Sequence, residues 1–173
     1  MATKIIIVMG VSGSGKSTIA KAIANHFKFE FIEADDFHSD QNKMHMSEGR
    51  PLTDAMREPW IASLTKHLSE AIKQDRSSVM SFSGLRSDHR NQFTALSDSI
   101  LFLYLNGTQK LIATRLAKRQ NHFMSADLLT SQFDAMQAPR DNEPMLMIDI
   151  DGSIEEVIDK AQSSVENWFK TGL

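Results

Sequence analysis

Residues 5–27, IIIVMGVSGSGKSTIAKAIANHF, decide the fold. Ile5–Met9 is apolar without alternation, as a strand buried on both faces of a parallel sheet is. It runs straight into Gly10-Val11-Ser12-Gly13-Ser14-Gly15-Lys16-Ser17, which satisfies G-x-x-x-x-G-K-[ST]. From residue 16 onward Ile19, Ala20, Ile23, Ala24 and Phe27 recur at three-to-four spacing, the mark of a helix with one apolar face. Strand, glycine loop and helix in that order form a phosphate cradle: glycines let successive backbone N–H groups turn inward, and the helix N-terminus adds partial positive charge. Gly10, Ser12, Gly13, Ser14, Gly15, Lys16, Ser17 and Thr18 are the expected nucleotide-binding set. Lys16 would reach the β- and γ-phosphates, and the Ser17 hydroxyl would ligate Mg²⁺. The motif implies a nucleoside triphosphate without choosing among transferase, switch and motor.

Outward from this stretch, further apolar runs lie at Phe29–Ile32, Val79–Phe82, Ile100–Leu105 and Met145–Ile150. Helical patterns separate them. Residues 59–73 open with Pro59, suited to a first turn, and carry Trp60, Leu64, Leu68 and Ile72 every four residues. The last helix begins at Ser153 with Glu156 three residues on, a capping box. Alternating strands and helices predict a three-layer α/β domain with right-handed crossovers. At 173 residues the chain is expected to form a single domain, residues 1–173. Two polar stretches lack core periodicity, residues 34–57 and 118–142, and such segments in a small domain are expected to be functional loops or lids.

Composition narrows the function classes. Hydrophobic residues make up 41% and charged residues 24%, with a net charge of −3, which favours neither a nucleic-acid-binding face nor a membrane-surface role. There are no cysteines, so disulfides, thiolate metal sites and cysteine nucleophiles are excluded. The apolar run near the N-terminus is shorter than a signal peptide requires, and no run approaches the ~20 residues of a membrane span. A cytoplasmic protein is the expectation. A guanine-nucleotide switch would carry N-K-x-D, but Asn42-Lys43 is followed by Met44-His45. Asp149-Ile150-Asp151-Gly152 imitates the D-x-x-G of such switches but falls at the last strand. A motor would end a core strand in a carboxylate, whereas the third ends in Phe82-Ser83 and the fourth in Asn106-Gly107. A small kinase fits best.

For a kinase the second strand matters most, because the carboxyl end of a parallel strand opens on the ligand crevice. Glu33-Ala34-Asp35-Asp36-Phe37-His38 emerges there, three carboxylates and a histidine facing the γ-phosphate. One carboxylate, Glu33, can orient Mg²⁺ while Asp35 accepts the hydrogen bond of an attacking hydroxyl.

This turn, the glycine loop, GRPLTDAMREPW (49–60) and RLAKRQNHFMSADLLTSQFDAMQAP (115–139) together resemble the gluconate kinases of the small P-loop type. The resemblance runs from about residue 5 to residue 151. It implies a five-stranded parallel sheet flanked by helices, a substrate-side segment at about 34–60 and a helical lid at about 118–142. It implies transfer of a phosphoryl group from ATP, with Mg²⁺, to the terminal hydroxyl of D-gluconate. A sugar acid needs cations for its carboxylate, and Arg57, Arg86 and Arg90 lie in the segments that wall the crevice; arginine's planar fork suits that group. His38 and His122 join Asp35 and these arginines as the expected substrate contacts. Arg115 and Arg119, four apart on one helical face, belong at the lid base against adenine and phosphates. Lys16, Asp35, Arg57 and Arg119 form the expected catalytic set. A homodimer is the assembly the resemblance suggests. The chain departs from the family pattern at Glu33, where D-G-D is usual, at Arg86 in place of lysine and at His89 in place of tyrosine.

Overall fold

Every strand of the sheet runs the same way. In this computed structural model, which describes residues 3–118 and 126–172, the strands are β1 (Ile5–Met9), β2 (Glu30–Glu33), β3 (Ser78–Ser81), β4 (Ile100–Asn106) and β5 (Met145–Asp149). They pair in parallel in the order β2-β3-β1-β4-β5. From β1 the chain runs to the edge at β2, returns to fill the gap with β3, then crosses to β4 and β5 on the other side of β1. The phosphate loop at the end of β1 therefore lies where the connections diverge, the natural ligand crevice of such a sheet.

Strand alternation divides the interior in two. Ile6 and Val8 join Leu101, Leu103 and Leu105 of β4 in a core closed by α1 (Lys16–Phe27), α5 (Gln109–Ala117), α6 (Ala126–Ala135) and α7 (Ile154–Thr171). Ile5, Ile7 and Met9 face the opposite way, against Trp60, Ile61, Leu64 and Leu68 of α3 (Asp54–Lys73) and Phe93 of α4 (Ser87–Thr94). Both faces of β1 and β3 are fully covered, which explains the unbroken apolar reading of β1.

The five expected strands and the helix at 16–27 form, with strand ends shifted by at most one residue. The capping box forms as well: Ser153 Oγ accepts from Glu156 N–H at 3.2 Å, and the Glu156 carboxylate accepts from Ser153 N–H at 2.8 Å. Pro59 is a correction. Helix α3 starts earlier, at Asp54, capped by Thr53, so Pro59 stands inside the helix and leaves the Ala55 carbonyl without its usual intrahelical donor. Helices in the polar stretches escaped the periodicity test for a physical reason. Helix α2 (Asp40–Ser47) is held by Ser39 at its N-cap and by buried Asn42, whose side-chain amide donates to the Met56 carbonyl at 2.8 Å, not by an apolar stripe. Among the described residues no helix is long and apolar enough to cross a membrane.

Candidate active site

The loop between β1 and α1 is held through its own backbone amides. Gly10 N–H donates to the Ser83 carbonyl at 3.1 Å, tying the loop to the segment after β3. Helix α1 has Gly15 at its N-cap, with no capping side chain, and no acid in its first turn, so its positive end is suited to an anion. Lys16 Nζ folds back to the Val11 carbonyl at 3.0 Å. Gly13 has φ +81°, and a Cβ there would lie 2.7 Å from Leu116 carbons of α5, so glycine permits both the turn and the close packing. Ser14 Oγ is buried without a hydrogen-bond partner, and Thr18 is exposed on the first turn of α1.

Strand β2 delivers the acidic turn beside this loop. Glu33 pairs in register with Ser81, and its carboxylate accepts from Ser17 Oγ at 2.6 Å, with Ser81 Oγ 3.3 Å from the same hydroxyl. Ser17, Glu33 and Ser81 thus converge as hard oxygen donors, the chemistry that suits Mg²⁺. Among the described residues no cluster of three or more His, Asp or Glu side chains could cage an ion unaided. A site of one carboxylate and hydroxyls fits an ion that completes its shell with phosphate oxygens and water.

Asp35 follows in a 3-10 helix, Ala34–Phe37. Its side chain is 78% exposed, and partial desolvation by the surrounding protein raises its pKa; the Lys16 charge opposes this and Asp36 reinforces it. His38 packs behind it. The imidazole is 3% exposed, stacks on Trp60 at 4.0 Å, and places Nε2 3.9 Å from Asp35 Oδ1. Burial, with Lys43 and Arg57 adding positive charge nearby, lowers its pKa to about 4, so it is neutral at pH 7. Trp60 Nε1–H donates to the Ala34 carbonyl at 2.7 Å, fixing the turn from below.

Two of the three expected arginines meet. Arg57, in the first turns of α3, and Arg86, at the N-cap of α4, bind opposite oxygens of Asp54 at 3.0 and 3.2 Å. Arg90 does not join them, which corrects its expected contact with substrate. It is fully buried, forked onto Glu143 at 2.6 and 2.9 Å, with Nη1 donating to the Gly84 carbonyl. Its donors are spent on holding the loop that carries Arg86. Arg115 is also engaged, donating from Nη2 to the carbonyls of Ile150 and Gly152, the latter at 3.1 Å. A cavity of about 680 Å³, lined in part by Thr114, Asp149 and Asp151, opens beside that contact. Arg119 and His122 lie outside the described residues.

Ser81, Asp54 and Trp60 belong to the site's framework but were not assigned roles from sequence. Ser81 left one usable signal, a hydroxyl closing a strand otherwise buried on both faces. Asp54 left none, since its importance lies in two arginines brought from separate helices.

Residues 5–142 match the family described as an AAA domain. A probable gluconokinase of Dictyostelium discoideum is 38% identical over 166 residues, covering 90% of this chain and 83% of that protein. A gluconokinase of Gluconobacter oxydans is 37% identical over 145 residues, covering 84% and 82%. The crystal structure of a gluconokinase from Sinorhizobium meliloti 1021 superposes with a TM-score of 0.88 at 32% identity, covering 98% of both chains. With that likeness extending over the loop, the acidic turn and the arginine pair alike, the chain belongs to the gluconokinase family of P-loop kinases.

Proposed function

We propose that this protein phosphorylates D-gluconate at its terminal hydroxyl, using ATP and Mg²⁺ and releasing 6-phospho-D-gluconate and ADP. The observation that carries the reading is the placement of Asp35 within the field of Lys16, on a turn whose neighbour Glu33 holds Ser17. The donor and acceptor halves thereby share one crevice. Asp35 orients the acceptor hydroxyl and takes its proton as that oxygen attacks the γ-phosphorus and the bond to the β-phosphate oxygen breaks. Lys16 and the loop N–H groups balance the charge on the phosphates. Ser17 and Glu33 would hold Mg²⁺, which would supply positive charge to offset that of the phosphates.

Arg57 and Arg86 form a cationic fork for the sugar acid's carboxylate. Neutral His38 supports the acceptor side by packing behind Asp35. Arg115, held at its edge by two carbonyls, keeps a flat guanidinium face on which a purine ring can stack. The test is ADP release with Mg-ATP and a panel of sugar acids, with the product's phosphorylated position read by ³¹P and ¹³C NMR. Gluconate-stimulated release with phosphate on the terminal carbon is expected. Release without any acceptor dependence would overturn the assignment.

A further inference from the structure

Helix α6 touches both halves of the site through two glutamines five residues apart. Gln132 Oε1 accepts from Ser12 N–H at 2.6 Å, occupying an amide of the phosphate loop. Just past the helix end, Gln137 N–H donates to the Leu85 carbonyl at 2.8 Å. Its Oε1 accepts from Ser87 N–H at 2.7 Å and from Ser87 Oγ at 2.9 Å. Ser87 opens α4, whose N-cap residue is Arg86 and which has no side-chain cap of its own. Gln137 therefore caps α4 from outside, satisfying an N–H that a helix start leaves orphaned, and it does so beside the arginine of the substrate fork. Leu129 is buried in the main core and Phe133 packs against it, so α6 is seated between the two contacts.

We propose that Gln132 and Gln137 are positioning residues through which occupancy of the phosphate loop alters the placement of Arg86. Where Arg86 acts on a sugar acid, this rests on the function proposed above; the coupling itself does not. The physical basis is competition for one donor. A neutral carboxamide oxygen is a weaker acceptor than an ionised phosphate oxygen, whose hydrogen bonds are roughly twice as strong. A triphosphate seated in the loop takes the Ser12 N–H, Gln132 lets go, and α6 loses its tie to the loop at one end. The Gln137 cap on Ser87 then loosens, freeing the Arg86 loop to adjust to its ligand.

Amide hydrogen exchange of the full-length protein, with and without a non-hydrolysable ATP analogue and Mg²⁺, tests this. In the wild type, amides of residues 84–90 exchange at least about fivefold faster once nucleotide binds, within the usual range of coupling between sites. In Gln132→Leu they are already fast without nucleotide and change no further, while residues 10–18 still gain protection. Gln132→Glu, which keeps the acceptor oxygen, restores slow exchange in the nucleotide-free protein. Gln137→Leu, a change at an exposed position, gives the same fast exchange at 84–90 and serves should Gln132→Leu fold poorly. A nucleotide response in Gln132→Leu or Gln137→Leu equal to that of the wild type overturns the proposal, as does its absence from the wild type. A merely structural pair of glutamines would shift stability without abolishing the nucleotide-dependent change. No sugar acid enters the measurement, so failure of gluconate as acceptor and failure of the coupling are separate results.

Discussion

As the proposed base, Asp35 has to be ionised to accept a proton, and three influences set where it ionises. Crowding raises its pKa, Lys16 lowers it and Asp36 raises it. Activity is then lost as pH falls through a value above that of an ordinary aspartate. Removing the neighbouring charge in Asp36→Asn should move the acid limb of the kcat/KM profile to lower pH; a limb that stays in place would remove Asp35 from the role. Asp35→Asn should cut kcat by ~10²-fold or more with nucleotide binding retained, as calorimetry against an ATP analogue can check. Arg57, paired with Asp54, has a different proposed role, binding the carboxylate of the acceptor. Arg57→Ala should raise KM for gluconate by about 10–100-fold, the loss of a charge-assisted hydrogen bond, and leave KM for ATP nearly unchanged. Their residue types stand out in sequence because chemistry restricts which types can serve a phosphate or a carboxylate. Arg90 was misjudged for the complementary reason: a charged side chain next to a site looks the same in sequence whether it faces substrate or Glu143.

Helix α3 shows how an element far larger than the site sets its geometry. Trp60 sits in its second turn, seals the core under β2 and donates to the Ala34 carbonyl, one residue before Asp35. Trp60→Phe keeps most of the apolar surface but strands that carbonyl, at a cost of about 1–3 kcal/mol. Its urea midpoint should fall and its kcat should fall with it, because the turn loses the anchor that aims Asp35; stability loss with full kcat would place the anchor elsewhere. At this scale legibility followed the source of order. Strands β1 and β4 and helices α1 and α7 are made by apolar burial, which leaves a periodic trace. Helices α2 and α4 are short and polar, held by Asn42, by Gln137 and by the buried Arg90–Glu143 pair, and such point contacts leave no period to count.

Across the whole molecule, several buried ionisable groups tie stability to pH in one direction. His38 is pushed down to about 4 by burial and by the charges of Lys43 and Arg57. His89, buried in α4, is also lowered: burial and Arg57 outweigh Glu58, Arg86 adds to them and Asp54 opposes. Glu143 is lowered despite its burial, because Arg90 and the Arg140 N–H hold its ionised form. In each case the unfolded chain binds a proton more readily than the folded one, so stability increases with pH across the interval between the two pKa values. For His38 that contribution is complete above about pH 6.5 and is withdrawn as pH falls toward about 4, and for His89 it is withdrawn in the same sense as pH falls below the ordinary histidine range. Glu143 adds its own loss at lower pH, below the ordinary glutamate range. Urea midpoints measured between pH 7.5 and 4.5 should therefore decline steadily. The decline between pH 7 and 5 should be shallower in the double variant His38→Gln, His89→Gln, whatever its stability at pH 7.5, because neither site can then take up a proton on unfolding. An unchanged slope in that variant would mean that the two imidazoles titrate alike in the folded and unfolded chains. The tight stacking of His38 on Trp60 and its unpartnered Nδ1 argue against that result, since a proton placed there would meet neither water nor a carboxylate in hydrogen-bonding range.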